Sequence, residues 1–212
     1  MAFIKTKSEQ TEHQFGQEQE QRLQPRDMAG LLEQLGEGNP SARRWAARDL
    51  SSHPDAAQPL CQHLLQETEP SVREAIFDSM LKIGGATVVE KLLSLLHSDD
   101  ANLRNGAIEV LQDLPDQVSP RMQTLLRDPD SDVRIFAIDI LQVLAHPDTP
   151  KWLLEVLDQE QHINVLATAV DRLAEVGSPE MVPQLLALKA RFPDQPYIAF
   201  AVDTAIRRIG DV

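Results

Sequence analysis

Val133-Arg134-Ile135-Phe136-Ala137-Ile138 is one copy of a phrase that decides how this chain folds. Earlier copies read Ala42-Arg43-Arg44-Trp45-Ala46-Ala47, Val72-Arg73-Glu74-Ala75-Ile76-Phe77 and Leu103-Arg104-Asn105-Gly106-Ala107-Ile108. Two looser copies follow, Val165-Leu166-Ala167-Thr168-Ala169-Val170 and Tyr197-Ile198-Ala199-Phe200-Ala201-Val202. A period of about thirty residues marks stacked supersecondary units, each too small to bury its apolar face alone. Such a chain is one extended array. Its function is to be sought on a surface before a pocket.

Ahead of each phrase lies an apolar run. The runs are Leu31-Leu32-Glu33-Gln34-Leu35, Leu60-Cys61-Gln62-His63-Leu64-Leu65, Leu92-Leu93-Ser94-Leu95-Leu96, Met122-Gln123-Thr124-Leu125-Leu126, Trp152-Leu153-Leu154-Glu155-Val156-Leu157 and Val182-Pro183-Gln184-Leu185-Leu186. Two helical patterns therefore alternate from Asp27 onward, joined by polar turns such as Gln66-Glu67-Thr68-Glu69-Pro70. Pro54-Asp55, Pro115-Asp116, Pro147-Asp148 and Pro179-Glu180 fit helix starts, where proline loses no bond and an acid meets the positive dipole end. Ser71 and Glu74 have the spacing of a capping box. Gly84-Gly85, Gly177 and Gly210 fall where second helices should stop. No run alternates with period two for long enough to be a strand.

Bulk composition agrees. The chain has 212 residues, of which 42% are hydrophobic and only 4% aromatic, a balance that suits Leu/Val/Ala-packed helices better than a β-sandwich. The single cysteine, Cys61, excludes an internal disulfide framework and a Cys-rich metal site, and its apolar setting reads as a buried, inert thiol. No stretch approaches the roughly 20 apolar residues needed to span a bilayer. The opening Met1-Ala2-Phe3-Ile4-Lys5-Thr6-Lys7-Ser8 turns polar too early for a secretory signal, so a cytoplasmic location is expected. Residues 1–26 are rich in Gln and Glu and are expected to form a flexible tail, leaving 27–212 as the repeat array.

The formal charge of -13 opposes nucleic-acid binding, which needs a basic face. In residues 1–26, Lys5, Lys7, Arg22 and Arg26 balance Glu9, Glu12, Glu18 and Glu20, so the excess acid lies in the repeats. That placement fits a basic partner, and it fits plain solubility too.

The phrase Val-Arg-x-x-Ala, with Leu50, Met80, Leu111 and Leu141 seven residues after the arginine, resembles the HEAT repeat. It is most similar to the short form named after phycobilisome bilin lyases. The resemblance covers residues 27–212 as about six repeats. It implies an all-α fold, a right-handed α-solenoid of antiparallel helix pairs whose second helices line the concave face. Arg43, Arg73, Arg104 and Arg134 resemble the family's ladder arginine, which bonds acids and carbonyls in neighbouring turns. Leu166 and Ile198 replace it in the last two copies, so the ladder is expected to stop after the fourth. The fold serves scaffolds, adaptors, bilin lyases, a di-iron hydroxylase and some DNA glycosylases, so it does not choose a function by itself.

Aligning the copies exposes an acidic register. Five residues after the ladder position stand Asp78, Glu109, Asp139, Asp171 and Asp203, with Arg48 in the first copy. Helical neighbours four residues away share that face, which gives a strip that is acidic through its middle and basic at Arg44/Arg48 and Arg207/Arg208. These acids are either a solvated face, partners of the ladder arginines, or a groove for a basic segment of another protein. Asn105 and Gly106 would make its centre shallow, and Ile135, Phe136 and Val143 beside Asp139 would supply an apolar anchor. Phe136 and Trp45 are expected to serve mainly as interior packing.

Catalytic patterns are missing. His13, His53, His63, His97, His146 and His162 show no i,i+4 pair and no His-Glu dipeptide, so no metal site is expected. There is no phosphate loop, nucleophile elbow or Cys–His arrangement. The expected function is therefore non-enzymatic and cofactor-free, an adaptor or assembly factor binding a protein partner through the acidic strip, with neither nucleic acid nor membrane as partner. The alternative that the resemblance implies is handling of a tetrapyrrole, whose propionates would want arginine where the strip carries acid.

Overall fold

A computed structural model of the chain describes residues 26–144 and 146–210. Every regular element among them is helical. Helices α1 (Met28–Leu35) and α2 (Pro40–Leu50) form the first pair, α3 (Ala57–Leu64) and α4 (Pro70–Ile83) the second, and α5 (Gly85–Leu95) and α6 (Ala101–Gln112) the third. In the fourth pair the first helix is broken into α7 (Pro115–Val118) and α8 (Met122–Leu125), followed by α9 (Ser131–Val143). The break falls at Ser119–Arg121, where Pro120 removes a helical donor. Helices α10 (Thr149–Gln159), α11 (Ile163–Val176), α12 (Val182–Arg191) and α13 (Pro196–Gly210) complete the last two pairs. Apart from Arg26, which pairs with Asp49, the tail expected over 1–26 lies outside the described residues.

The residues explain the boundaries. Asn39, Asp100 and Asp130 each cap a second helix by accepting from a backbone N–H two residues on, at 3.0, 2.9 and 2.9 Å. The capping box expected of Ser71 and Glu74 does not form. Helix α4 begins two residues earlier than a Ser71 cap implies, with Glu69 as cap and Pro70 at its first position, and the Ser71 hydroxyl turns back to the Glu69 carboxylate at 3.3 Å. Gly84 ends α4 with φ at 58°, a conformation that disfavours any side chain. Gly177 ends α11 for a different reason: a Cβ there would lie 2.5 Å from the Leu173 carbonyl oxygen.

The chain divides into two compact units, Met1–Lys91 and Leu92–Val212, with the division inside α5. In the first unit α2 packs on α4, and α1 and α3 pack on their own second helices. Buried Ser79 of α4 has its hydroxyl 2.8 Å from the carbonyls of both Ala47 and Ala75, which ties α4 to α2. In the second unit the second helices α6, α9, α11 and α13 pack each on the next, and α10 and α12 pack together beside them. The cores are aliphatic: Leu50, Leu60, Ile76 and Met80 in the first unit, and Leu111, Met122, Ile138 and Leu153 in the second, are at most 1% exposed. Cys61 is buried as expected, and burial pushes its thiol upward despite an opposing field from Lys91.

Candidate functional site

The ladder arginines turn out to be structural. Each donates to the carbonyl six residues back: Arg43 to Glu37 at 3.0 Å, Arg73 to Glu67 at 2.6 Å, Arg104 to Ser98 at 2.7 Å and Arg134 to Asp128 at 2.7 Å. This closes the turn between the two helices of a pair, where carbonyls would otherwise be left without donors. Arg43 and Arg134 also grip an acid of the following pair bidentately. Arg43 reaches the Glu67 carboxylate at 2.7 and 2.9 Å, and Arg134 reaches Glu160 at 2.6 and 3.1 Å.

Glu67 and Glu160 are thus the acids of the ladder, and neither was singled out by the repeat phrase. They sit just past the first helix of their pair, six residues before positions 73 and 166. Burial raises the Glu67 carboxyl, but bonds from Arg43, the Glu69 N–H and His63 outweigh it and hold it at about 2. Burial acts the same way on Glu160, and Arg134 with the His162 and Gln161 N–H groups holds it below its ordinary value. The signal was available in the spacing: both acids lie at one offset from the phrase, in turns that otherwise vary.

With the ladder satisfied elsewhere, the acids of the second helices stand separate from it. Asp78, Glu109, Asp171 and Asp203 are exposed, and Asp139 is half-buried. Asp139 and Asp171 line one cleft of about 170 Å³ between α9 and α11, together with Ile138, Gln142, Thr168, Arg172 and Glu175. Burial pushes the Asp139 carboxyl above its usual range. The Gln112 amide donates to the main-chain carbonyl of Asp139 at 2.9 Å, which fixes α9 against α6 without using that carboxylate. Asp203 is engaged by Lys189 at 2.6 and 2.7 Å. Arg172, unremarked in the sequence, pairs with Glu175 at the rim of the cleft.

The apolar neighbours divide. Val143 is 57% exposed beside the acids, whereas Ile135 is half-buried and Asn105 is exposed. Phe136 and Trp45 are half-buried and each lies under a guanidinium, Arg104 and Arg48 respectively, at 5.5 Å. The second unit brings Glu109, Asp139, Asp171 and Asp203 onto successive packed helices, while Asp78 belongs to the first unit.

On the side of the first helices a cleft of about 240 Å³ is lined by Gln123, Arg127, Trp152, Glu155 and the Arg134–Glu160 pair. Arg127 reaches Glu155 across it at 3.5 Å, so both of its arginines are already paired with acids of the same cleft. Among the described residues no three His, Cys, Asp or Glu side chains gather into a cluster suited to a metal ion. No helix among them is long and apolar enough to cross a membrane.

No curated protein matches the chain. Among solved structures it is similar to an engineered protein (19% identity over 88% of this chain and 99% of that one, TM-score 0.40). It is also similar to the CpcE–CpcF complex of phycocyanin lyase from Nostoc sp. PCC7120 (18%, 87% and 94%, 0.36). A computationally designed armadillo repeat protein for modular peptide recognition is a further neighbour (16%, 86% and 99%, 0.38). The sequence pattern of HEAT repeats matches residues 28–112 and 118–202, so with its arginine ladder and stacked helix pairs this chain belongs to the HEAT repeat family.

Proposed function

We propose that the protein is a non-enzymatic interaction module, an adaptor or assembly factor, whose second helices bind a basic segment of a partner protein. The observation that carries this reading is the cleft between α9 and α11, where Asp139 and Asp171 face the same space, with exposed Val143 four residues after Asp139 on α9. A half-buried carboxylate with raised pKa is a cost to the fold. A lysine or arginine of a partner entering the cleft would offset that cost, and the aliphatic surface would hold the rest of the segment. The ladder leaves these acids out, so their register is not explained by the fold alone.

The test is capture of partners from a native extract by the purified chain and by Glu109→Lys with Asp139→Lys. Helicity should be unchanged, and proteins retained by the wild-type chain should be lost from the variant. Identical capture by both chains would exclude the acidic face as the binding surface. A tetrapyrrole is a weaker fit, because the only arginine lining the α9–α11 cleft is Arg172, and Arg172 is already paired with Glu175.

A further inference from the structure

The α12–α13 pair carries large apolar side chains on a face that nothing in the described chain covers. Tyr197 occupies the position just before the ladder residue. Its counterparts Ala42, Val72, Leu103, Val133 and Val165 are at most 3% exposed, yet Tyr197 is 55% exposed. Leu186 stands twelve residues before the ladder position, where Leu31, Cys61, Leu92 and Met122 are at most 5% exposed and Leu154 is half-buried, and it is 50% exposed. Phe200 adds 66% exposure.

The outward stripe of α13 runs Tyr197, Phe200, Thr204, then Arg207 and Arg208, positions that share one side of a helix. It has a polarity: exposed Asp194 precedes the helix, and the two arginines close it. Asp203, next to Thr204 on the same helix, is taken by Lys189. Elsewhere a net charge of -13 makes copies of this chain repel one another, whereas here an apolar centre lies between opposite charges.

We propose that this face pairs with itself, joining two copies through an antiparallel contact of their α13 helices. A two-fold axis near the middle of α13 brings Phe200 against the second copy's Thr204. The same axis sets Tyr197 beside the second copy's Arg207, a cation–π contact, and brings Asp194 to the arginine end. A self-complementary patch of this kind closes at two subunits and does not propagate.

Sedimentation velocity and light scattering on the full chain, from low micromolar to about 100 µM, test the contact. The expected result is a concentration-dependent dimer. Tyr197→Glu with Phe200→Glu should weaken it at least about tenfold with an unchanged far-ultraviolet dichroism spectrum, since both side chains are exposed. Arg207→Glu with Arg208→Glu should weaken it too, and adding Asp194→Lys to that pair should restore it. A wild-type monomer throughout the range, or a dimer indifferent to both double substitutions, overturns the proposal.

Discussion

Arg191 donates to the main-chain carbonyl of Glu160 at 2.9 Å. That carbonyl lies six residues before Leu166, so it is the acceptor that a ladder arginine would have taken in the fifth pair. Arg191 comes instead from the end of α12, in the following pair, and also reaches the carbonyls of Leu157 at 2.7 Å and Asp158 at 3.0 Å. The ladder therefore changes supplier when its own position turns apolar. Leu166 is fully buried, and the cation that its replacement of arginine removed returns from outside the turn.

Loss of Arg191 should accordingly be costly for a largely exposed residue. Arg191→Ala leaves three carbonyls short of a donor and should lower the unfolding free energy by about 1–2 kcal/mol, read from urea denaturation. Arg191→Lys should recover less than half, because an ammonium lacks the fork that spans separate acceptors.

Glu67 sets an acid limit on the first unit. Its folded-state pKa of about 2 lies below the ordinary 4.5, so its stabilisation is complete above 4.5 and is lost as pH falls toward 2. The shift corresponds to at most about 3 kcal/mol. Glu160 acts in the same direction. The urea midpoint should drop steeply over that window, and Glu67→Gln should lower stability at neutral pH while flattening the slope below 4.5.

Asp139 should behave oppositely. Burial raises its carboxyl, so the charged form burdens the fold at neutral pH and the burden fades as pH falls below its folded-state pKa. Asp139→Asn should raise the melting temperature slightly at pH 7 and weaken binding of a basic peptide. A single substitution that stabilises the fold while impairing recognition is the mark of a residue kept for binding.

Gly177 tests the packing at the end of α11. Gly177→Ala should destabilise by roughly 1–3 kcal/mol, because its Cβ meets the Leu173 carbonyl oxygen at 2.5 Å and the Ile209 side chain at 3.0 Å. Thermal unfolding followed by circular dichroism gives the number.

The helix pairs were legible because each repeat writes its own punctuation. Phrase and apolar run recur together in every pair, with proline or glycine at several of the boundaries, and a fixed period needs no tertiary information. The start of α4 lies two residues before the one the Ser71–Glu74 spacing suggests, since Pro70 at the first helical position outcompetes the Ser71 cap. The acidic register was visible in the alignment, but its separation from the ladder was not, because Glu67 and Glu160 lie in turns outside the phrase. Arg191 was illegible for a plainer reason: its acceptors belong to another repeat, more than thirty residues earlier.

The most direct test of the acidic face uses a fluorescent arginine-rich peptide and two variants with the same change in net charge. One is Asp139→Lys with Asp171→Lys, in the cleft between α9 and α11; the other is Asp116→Lys with Asp158→Lys, on the exposed sides of α7 and α10. Binding measured by anisotropy at moderate salt should fall at least about tenfold for the first and only slightly for the second. Equal losses in both variants would show that overall charge, and not the register of acids on the second helices, governs binding.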